Sequence, residues 1–474
     1  MKICLNDRIF DLLSSVLDEA GRDGYVIGGY VRDLLLKREN PGKDIDILII
    51  GNGIEIAKKV AGKLGKGVKV TVFRNFGTAM CHSGDYDIEF VGARKESYNR
   101  NSRKPVVENG TLEDDQNRRD FTINAMAVCL NRSGFGELID PFNGLYDLEN
   151  KVIRTPLEPD RTFEDDPLRM LRAIRFASQL NFEISAETFD SIKRNAARIN
   201  IVSAERVITE LNKIMMCDRP SRGFVLLERS GLLALIFPEL DKMKGVEKRE
   251  GKAHKDNFLH SVKVLDNISR KTDNLWLRWA ALLHDIAKPV TKKYIPESGW
   301  SFHGHEYIGS RMIPSIFRRM KLPLNDRMKY VQKLIDLHLR PIVLSQEEVT
   351  DSAIRRLLFE AGDDIEDLMM LCEADITSKN EEKKTRHLEN FRLVRKKLKE
   401  IEEKDAVRNF KPPISGDDII SVFGIKPGKE VGIIKTAIRD AILDGIIPND
   451  YDAAREIMIK TAKELGLVSK DGTT

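Results

Sequence analysis

The chain has 474 residues, and at about 150 residues per domain this length predicts roughly three domains that fold without disulfides. Its 78 Lys and Arg residues against 74 Asp and Glu residues give a formal net charge of +4, so any affinity for nucleic acid has to come from local basic patches. The composition, with 32% charged and 41% hydrophobic residues and five scattered cysteines that form no CxxC pair, excludes a disordered chain, a zinc ribbon and a disulfide scaffold.

The N-terminal segment MKICLNDRIFDLLSSVLDEAGRDG carries acidic residues early and has the apolar spacing of an amphipathic helix. It therefore does not resemble a signal peptide. No segment approaches the roughly 20 consecutive apolar residues that a membrane span requires. The unpaired cysteines fit a reducing compartment, so we expect a cytoplasmic protein that does not associate with a membrane.

Residues 25–92 mix the patterns of strands and helices. YVIGGYVRDLLL predicts a strand, a glycine turn and the start of a helix, and DIDILII, VKVTVF and DYDIEFVG predict further strands. These patterns favour a mixed sheet with helices, and we place the first domain at residues 1–155.

From about residue 156 the pattern becomes helical, with apolar residues at i, i+3 or i+4 and i+7 in PLRMLRAIRFASQL and in later segments. The polar, glycine-bearing fragment MKGVEKREGKAHKDN predicts a boundary near residue 245. We therefore assign a helical neck to 156–245 and a second helical domain to 246–380. An apolar face on the helices of 205–240 is a candidate surface for a homodimer.

The last part of the chain, 381–474, is interpreted as a basic helical arm and an RNA-binding tail. Residues 379–411 contain 12 Lys and Arg against 7 Asp and Glu, which is typical of a solvated helix or, alternatively, of a basic arm that contacts a nucleic-acid backbone. Further on, GIKPGKEVG is either a plain connector or a glycine-rich turn whose amides, with Lys426 and Lys429, face a phosphate backbone.

A pair of carboxylates begins the strand DIDILII. Asp44 and Asp46 point to the same strand face, because side chains at i and i+2 of a strand do so. Paired carboxylates suit Mg²⁺, which takes oxygen ligands and shares its coordination shell with substrate phosphates. Glu89 in DYDIEFVG is a candidate third carboxylate from a neighbouring strand, and a solvent-facing strand residue is the alternative.

A glycine turn lies just upstream of these carboxylates. Gly28 and Gly29 stand where a strand passes into a helix, and their lack of side chains lets the backbone approach a phosphate closely. The helix N-terminus and the guanidinium of Arg32 add positive potential at the same place. The pattern therefore favours a triphosphate site next to the carboxylates.

The motifs that follow identify a family. GGYVRDLLL and DIDI are succeeded by RRDFTINAMA at 118–127, DPFNGLYDLENKVIR at 140–154 and DDPLRMLRAIRFA at 165–177. This ordered set resembles the bacterial-type class II tRNA nucleotidyltransferases, which comprise CCA-adding enzymes and bacterial poly(A) polymerases within the DNA polymerase β-like superfamily. The resemblance implies an α+β fold, with a polymerase β-like nucleotidyltransferase head followed by an all-α neck. One departure is Lys37, which stands where the family usually has a loop glycine.

The resemblance also implies a mechanism for the head. Asp44 and Asp46 would hold two Mg²⁺ ions at the RNA 3′-hydroxyl and the incoming α-phosphate, and Gly29 and Arg32 would meet the triphosphate. Arg118 or Arg119, beside Asp120, would contact phosphate or ribose. The alternative for this Arg-Arg-Asp triplet is a surface cluster of ion pairs.

Asp166 and Arg169 are spaced i, i+3 in a predicted helix and therefore lie on one face, which Arg172 and Arg175 extend as a cationic ridge. An intrahelical salt bridge with a solvated basic face is the alternative. In the family the matching helix reads the incoming base, and these four residues would bind the nucleotide. A guanidinium only donates and a carboxylate only accepts, so such a pair satisfies cytosine and adenine and opposes uracil and guanine. Asp165 stands where the family motif commonly has Glu, and AERVITELNK matches a further neck motif.

The second helical domain contains a spaced set of histidines and aspartates: His260, His284, Asp285, His305, His338 and Asp375. LLHDIAKP is predicted to be a helix from which the adjacent His-Asp pair projects toward a cavity. The pattern H…HD…H…H…D resembles the HD phosphohydrolase superfamily. The resemblance implies that His260, His284, Asp285 and Asp375 bind a first metal, and that His305, or alternatively His303, and His338 take second-metal or phosphate-facing positions.

Mixed imidazole and carboxylate ligands suit Mn²⁺, Fe²⁺, Ni²⁺ or Mg²⁺. The chemistry that the HD resemblance implies is attack of a metal-activated water on a phosphate. Several CCA-adding enzymes carry such a domain, which is linked there to 2′,3′-cyclic phosphodiesterase and 2′-phosphatase activity on RNA ends. Since every matching metal residue is present, we predict an active hydrolase.

The leading hypothesis is a CCA-adding enzyme with tRNA, ATP and CTP as partners. A bacterial poly(A) polymerase or an A-adding enzyme shares all the head motifs and is the nearest alternative. A nucleotide phosphohydrolase with a non-catalytic RNA-binding head, and a tRNA-binding chaperone, are further alternatives. The intact Asp44, Asp46 and Arg32 argue against the phosphohydrolase, and the two complete sets of metal-binding residues argue against the chaperone.

Overall fold

The computed structural model describes residues 1–38, 44–65, 67–74, 77–99, 102–344, 350–377, 380–405, 408 and 410–469. It forms two compact units, Met1–Asp241 and Lys242–Thr474. Within the described residues, no helix combines the length and the apolar content that crossing a membrane requires.

A mixed sheet lies at the centre of the first unit. The strands of its head are β1 (Gly24–Ile27), β2 (Asp44–Ile49), β3 (Val70–Phe73), β4 (Thr78–Ser83), β5 (Tyr86–Gly92), β6 (Arg94–Asn99), β7 (Ser102–Asn109), β8 (Ala127–Cys129) and β9 (Leu138–Ile139). They form one sheet in the order β3-β4-β5-β2-β1-β8-β9, while β6 and β7 form a separate antiparallel hairpin. β2 pairs in parallel with β5 and antiparallel with β1, so the strand that begins with the paired carboxylates lies inside the sheet.

Short helices cover the sheet of the head. They are α1 (Arg8–Ala20), α2 (Gly29–Leu35), α3 (Gly53–Leu64), α4 (Leu112–Asn117) and α5 (Gly144–Glu149). α1 buries Phe10, Leu13 and Leu17 completely, as its amphipathic pattern predicts. Lys37, which follows α2, has a φ of +52°, a left-handed conformation that glycine adopts more readily. This conformation explains why a glycine is usual at that position.

The remainder of the first unit is helical apart from the short parallel strands β10 (Val152–Ile153) and β11 (Glu183–Ile184). Its helices are α6 (Pro159–Asp165), α7 (Leu168–Leu180), α8 (Ala186–Asn195), α9 (Ala204–Met215), α10 (Pro220–Arg229), α11 (Leu232–Ile236) and α12 (Pro238–Asp241). The prediction that Asp166 and Arg169 share one helix is wrong, because α6 ends at Asp165 and Asp166 is extended, with φ −141° and ψ 102°. Pro167 disfavours helical geometry at the residue before it.

The helices of 205–240, predicted to present an apolar face to a second copy of the chain, use that face within the first unit. Leu211 and Ile214 of α9 and Phe224 and Leu227 of α10 are completely buried. α9 and α10 pack on α7 and on each other. The apolar pattern of these helices is therefore explained by packing inside one chain.

The second unit begins with two short antiparallel hairpins separated in sequence by helices. The strands are β12 (Lys248–Arg249), β13 (Lys252–Ala253), β14 (Lys293–Ile295) and β15 (Gly299–Ser301). The helices of this part are α13 (Asn257–Ser269), α14 (Leu275–Leu283), α15 (Lys288–Thr291), α16 (His305–Arg319), α17 (Asp326–Leu337), α18 (Leu339–Leu344), α19 (Asp351–Ala361) and α20 (Ile365–Asp375). The predicted continuous helix through LLHDIAKP is wrong, since α14 ends at Leu283 and His284 and Asp285 lie in the turn that follows. Pro289 has no N–H to donate to the carbonyl of Asp285, and it lies in the first turn of the new helix α15, where that N–H is not needed.

The chain ends with α21 (Glu381–Asp405), α22 (Gly416–Phe423), α23 (Lys429–Leu443) and α24 (Tyr451–Glu464). α21 corresponds to the charged stretch 379–411, of which residues 379, 406, 407 and 409 lie outside the described residues. It is a packed helix, because Phe391, Val394, Leu398 and Ile401 are buried against the preceding helices. The turn between α22 and α23 places Lys426 and Lys429 at the surface.

Candidate active sites

Strand register brings the carboxylates of the head together. Asp46 of β2 lies opposite Glu89 of the parallel neighbour β5 and opposite Ile27 of the antiparallel neighbour β1. Asp44 stands two residues before Asp46 on the same strand face. Because Ile27 directly precedes the glycine turn, this register also places Gly28 beside Asp46.

Gly28 fills a position where a side chain would crowd the site. Its φ of +73° lies in the left-handed region, and a Cβ built there would lie 3.2 Å from Oδ2 of Asp46 and 3.3 Å from Nη1 of Arg119. The glycine therefore allows a carboxylate, a guanidinium and the backbone of the turn to approach one another. Gly29 is the first residue of α2.

The electrostatics of the head carboxylates favour a bound cation. Burial raises the pKa of Asp46 to about 6, with Glu89 and Asp44 adding to the rise and Arg119 opposing it. Clustered oxygen donors that are hard to keep ionised together are the donor set that Mg²⁺ suits. The residues present therefore fit such an ion.

The two adjacent arginines of the Arg-Arg-Asp motif have different surroundings. Both guanidiniums bond the buried carboxylate of Asp115, which the sequence analysis did not single out. Arg119 also donates to the carbonyl of Asn124 at 3.2 Å and lies beside Gly28. Arg119 is thus the arginine that borders the carboxylates.

Arg32 is buried within the head, where it donates to Oδ1 of Asn124 at 2.8 Å and pairs with Asp33 at 2.7 Å. Asn124 in turn donates to Asp120 at 3.1 Å. Asp120 also accepts from Arg172 of α7, and the ion pair between them measures 2.6 Å. A continuous chain of hydrogen bonds therefore links the glycine turn to the α7 helix.

The remaining arginines of α7 do not form a solvated ridge. Arg175 is buried and pairs with the buried Glu210 of α9 at 2.5 Å. Arg169 is also buried and donates to the carbonyl of Arg118 at 2.5 Å. The alternative of a solvated basic face is therefore wrong for Arg169 and Arg175.

Asp166 is bonded to a different arginine from the one that the sequence suggested. Its carboxylate pairs with Arg206 of α9 at 2.8 Å, while its carbonyl accepts the backbone N–H of Arg169 at 3.0 Å. The alternative of an intrahelical Asp166–Arg169 salt bridge is therefore not matched by a contact between these two side chains. The contacts of Arg206 and Glu210 give the neck motif AERVITELNK a structural role.

The histidines and aspartates of the second unit converge on one point. The Nε2 atom of His260 lies 2.8 Å from Asp375 and 3.5 Å from Asp285, and that of His284 lies 3.3 Å from Asp285. On the other side of Asp285, its second carboxylate oxygen lies 3.2 Å from Nε2 of His305. Two sets of three ligand atoms fall within 4.8 Å of one another and share Asp285: His260, His284 and Asp285, and Asp285, His305 and His338.

Each of these histidines is fixed through its other ring nitrogen. The Nδ1 atoms of His284, His305 and His338 contact the carbonyls of Ala281, Phe302 and Ile335, and Nδ1 of His260 contacts the hydroxyl of Thr377: the distances are 2.8, 2.8, 2.6 and 3.0 Å. A carbonyl oxygen accepts only, so the hydrogen resides on Nδ1 and a neutral ring has its lone pair on Nε2. In three of the four rings Nε2 is buried without a well-formed hydrogen bond. These orphaned atoms fit a metal ion.

The pKa shifts in this cluster indicate a demand for positive charge at its centre. Burial lowers the pKa of His284, but Asp285 and Asp375 outweigh burial and raise it to about 10. Burial raises the pKa of Asp285, but His284 and Lys288 bring it well below its usual value. For His338, burial and the charge of His284 lower the pKa to about 4. A divalent cation between Asp285 and Asp375 would be stabilised by the same two carboxylates that stabilise the proton on His284.

Two further residues of this cluster carried no signal in the sequence analysis. Lys288, three residues after Asp285, places its ammonium 2.6 Å from Oδ2 of Asp285. Thr377 follows Asp375 and holds the ring of His260. Of the two histidines that the sequence left as alternatives, His305 is buried and contacts Asp285, whereas His303 is exposed.

Family models match the chain in three successive regions. A poly A polymerase head domain matches residues 24–154, a probable RNA and SrmB-binding site of polymerase A matches 181–244, and an HD domain matches 257–380. The first region contains the head carboxylates, and the third contains the histidine cluster.

Curated relatives and a solved structure agree with these models. An A-adding tRNA nucleotidyltransferase of Deinococcus radiodurans is 33% identical over 352 residues, which cover 72% of this chain and 78% of the relative. A multifunctional CCA protein of Dechloromonas aromatica is 35% identical over 311 residues, covering 64% of this chain and 70% of the relative. The crystal structure of a tRNA nucleotidyltransferase complexed with a primer tRNA and an incoming ATP analog matches with a TM-score of 0.60 and 27% identity, over 82% of this chain and 99% of that one.

Proposed function

The chain belongs to the tRNA nucleotidyltransferase family, and on this premise we propose that it adds C, C and A to tRNA 3′ ends from CTP and ATP. The observation that carries the proposal is the meeting of Asp44, Asp46 and Glu89 on adjacent strands beside the Gly28 turn. Acidic oxygens next to an open backbone turn and a guanidinium are suited to a magnesium nucleoside triphosphate.

The residues of the head divide the work of nucleotide transfer. Mg²⁺ held by Asp44 and Asp46 would neutralise charge on the reacting phosphate and activate the RNA 3′-hydroxyl. Glu89 supports these carboxylates from the neighbouring strand. The turn at Gly28 and Gly29 receives the triphosphate, and Arg119, which lies beside Gly28, contacts phosphate or ribose.

Base selection is assigned to the segment around α7. Asp166 and Arg169 present an acceptor and a donor, which suit the cytosine and adenine edges and oppose those of uracil and guanine. The carboxylate of Asp166 forms an ion pair with Arg206, and the guanidinium of Arg169 donates a hydrogen bond to the carbonyl of Arg118. Both side chains are therefore positioned before a base binds. Arg172 and Arg175 position α7 through Asp120 and Glu210.

The test of addition uses a tRNA that ends before the C, C and A. The tRNA is incubated with Mg²⁺ and with each labelled nucleoside triphosphate, singly and in combination. Addition of two C and one A followed by arrest supports the proposal. Incorporation of U or G at comparable rates, or no incorporation of C, contradicts it.

A-only addition is the second candidate, and a specific observation favours it. Among the curated relatives are A-adding tRNA nucleotidyltransferases of Deinococcus radiodurans and Aquifex aeolicus, as well as multifunctional CCA proteins. In the same assay, a single A placed only on tRNA that already ends in two C identifies an A-adding enzyme. Long A tails identify a poly(A) polymerase.

For the second unit we propose hydrolysis of 2′,3′-cyclic or 2′-phosphate ends of RNA. The supporting observation is the pair of ligand sets that share Asp285, each with at least one buried imidazole nitrogen that forms no hydrogen bond. A divalent ion such as Mn²⁺, Ni²⁺, Fe²⁺ or Mg²⁺ held there would supply an activated water. The test is release of product from a nucleoside 2′,3′-cyclic phosphate with Mn²⁺ or Ni²⁺ added, and absence of release with every one of these metals contradicts the proposal.

A further inference from the structure

The two short hairpins of the second unit are joined to each other beside the histidine cluster. The indole N–H of Trp300 donates to the carbonyl of Lys252 at 3.3 Å, and Nζ of Lys252 donates to the carbonyls of Pro296 at 3.2 Å and Glu297 at 2.8 Å. These bonds connect β13 with β14 and β15. We call residues 247–255 and 292–303 together the cap.

The cap carries a cluster of oriented aromatic rings. The ring of His254 meets Trp300 edge to face, with centroids 5.3 Å apart, and meets Phe302 in the same way at 5.9 Å. His254 is itself fixed, because Nδ1 contacts the carbonyl of Lys255 at 2.7 Å and Nε2 accepts the N–H of Glu247 at 3.1 Å. Trp300 and Phe302 remain only half-buried. Tyr294 and the ammonium of Lys292 also contact the Trp300 ring, at 5.2 and 5.3 Å from its centroid. The cap therefore holds aromatic rings at fixed angles and leaves part of their surface exposed.

Trp300 and Phe302 separate two cavities, each of which opens on one ligand set. One cavity, of about 660 Å³, is bordered by His260 and Asp375, and the other, of about 460 Å³, is bordered by His305. Lys288, Trp300 and Phe302 line both. The aromatic wall thus stands between the approaches to the two halves of the histidine cluster.

The charge of the larger cavity is positive. Lys252, Lys255 and Lys288 line it, and its carboxylate, Asp375, is paired with His260 at 2.8 Å. Because Lys288 is itself paired with Asp285 at 2.6 Å, the excess positive charge comes from Lys252 and Lys255. Lys255 is exposed and forms no ion pair with a described carboxylate. Aromatic faces combined with ammonium groups are the arrangement that binds single-stranded nucleic acid, with bases stacked and phosphates paired.

We propose that the cap binds the terminal nucleotide of the RNA whose phosphate reaches the histidine cluster. The base stacks on the wall of Trp300 and Phe302, and Lys255 pairs with the phosphate on the 5′ side of that nucleotide. Stacking is tolerant of sequence because every base has a π-face, so the cap accepts any of the four bases. This inference rests on the proposed hydrolysis by the second unit and names the residues that select its substrate.

Binding is tested first without catalysis. The three tryptophans, Trp276, Trp279 and Trp300, all lie in the second unit, so their fluorescence reports nothing from the head. Adenosine 2′-phosphate is titrated into the full-length protein, once after chelator treatment and once with Mn²⁺. Saturable quenching that Trp300→Phe abolishes supports the proposal, and absence of quenching in both conditions overturns it.

Kinetics then separates stacking from a structural role. Trp300→Ala is expected to raise KM for adenosine 2′,3′-cyclic phosphate about tenfold or more, because stacking of one base is lost. Its kcat/KM for glycerol 1,2-cyclic phosphate, which has no aromatic ring to stack, should stay near that of the parent, and Trp300→Phe should restore most of the lost affinity. Equal effects of Trp300→Ala on both substrates mean that the ring only supports the fold, and they overturn the proposal.

The phosphate contact has a matched pair of variants. Lys255→Ala is expected to lower the salt dependence of binding to a short RNA with a 2′-phosphate end by about one unit of the log–log slope. Lys293→Ala removes an exposed lysine of β14 that does not line the cavity, and it should leave the slope unchanged. If the parent hydrolyses neither phosphate substrate, the proposed hydrolysis fails, and the fluorescence titration decides on the cap by itself.

Discussion

The two candidate metal sites of this chain are built in opposite ways. In the second unit two sets of three ligand atoms lie within 4.8 Å of one another, and the ligands are almost wholly buried. Among the described residues of the head no such set occurs, and Asp44 is exposed. The head therefore resembles a site that substrate phosphates complete, whereas the histidine cluster is assembled in advance.

The difference follows from the elements that carry the ligands. Strand register sets Asp46 beside Glu89 at the spacing of neighbouring strands and leaves one side of the site open. In the second unit the ligands stand at or near helix ends, where His284 and His338 follow α14 and α17, and His305 begins α16. Helix ends that meet at one point surround it on several sides.

The largest effect is expected from removing the head carboxylates. Asp44→Ala and Asp46→Ala should each lower the rate of nucleotide addition by about a thousandfold, which corresponds to roughly 4 kcal/mol of transition-state stabilisation. Hydrolysis by the second unit should not change. The measurement is incorporation of labelled CTP and ATP into tRNA, with Asp11→Asn, an exposed change on α1, as the control. Addition at the parental rate by folded Asp44→Ala would remove the basis of the proposed chemistry.

The corresponding change in the second unit is His284→Ala, which should abolish hydrolysis and spare nucleotide addition. It removes one of the expected metal ligands of the buried cluster. We expect loss of cyclic-phosphate hydrolysis by at least about a hundredfold, while nucleotide addition is retained. His303→Ala is the matched control, because this histidine is exposed and lies close by in sequence. Hydrolysis is followed by product release with Mn²⁺. If His303→Ala is the variant that loses activity, the assignment of His305 and His284 to the cluster is wrong.

A stability measurement examines the buried ion pair between Asp120 and Arg172 in the first unit. Burial raises the pKa of Asp120, but Arg172 and the hydrogen bond from Asn124 outweigh burial and lower it to about 2. A carboxyl whose pKa is lowered on folding stabilises the fold above its unfolded pKa of about 4, and this stabilisation is lost as the pH falls toward 2. Asp120→Asn should therefore destabilise the first unit by about 2–3 kcal/mol at pH 7, by about half of that at pH 3 and by much less near pH 2.

This loss has to be read in the first unit itself. Since all the tryptophans lie in the second unit, hydrogen exchange of residues 112–180 is the suitable measurement. Asp140→Asn alters another head carboxylate, half-buried, whose bonds are to backbone N–H groups. A destabilisation by Asp120→Asn that does not shrink at low pH would show that the ion pair with Arg172 is not its cause.

The metal affinity of the histidine cluster should depend on the groups that form hydrogen bonds with its ligands. Thr377→Val deletes the hydroxyl that contacts Nδ1 of His260, and a loss of about tenfold in affinity for Mn²⁺ is expected. The apparent affinity is measured as the Mn²⁺ concentration that half-restores hydrolysis after chelation. Thr209→Val, an exposed change on α9, is the control. The Mg²⁺ requirement of addition should be the same in both variants, and a parallel change there would contradict the independence of the two sites.

The smallest effect is expected from Arg206→Ala. This change frees the carboxylate of Asp166 from its ion pair, and we expect discrimination between CTP and UTP to fall severalfold, by about 1 kcal/mol. Arg161→Ala, an exposed change on α6, should leave discrimination unchanged. Competition between labelled CTP and UTP measures the ratio. An unchanged ratio would mean that Asp166 needs no support from α9.

Much of this architecture is readable in the sequence because it depends on local spacing. The alternation in DIDILII gives the strand and the common face of Asp44 and Asp46, and the helical periodicity of α7, α9 and α13 follows from their apolar residues. The six spaced histidines and aspartates of the second helical domain also form one cluster in the structure. Residue type and periodicity are properties of a short segment, so they can be recognised without knowing how the rest of the chain folds.

The partners of those residues were decided only by tertiary structure. Arg172 bonds Asp120, 52 positions away, Arg206 rather than Arg169 holds Asp166, and Thr377 reaches His260 across 117 positions. The cap is also invisible in the sequence, because two hairpins of two or three residues per strand have no period to detect. Spacing fixes which face of an element a side chain occupies, whereas the neighbour it meets depends on how distant elements pack, and that information is spread over the whole chain.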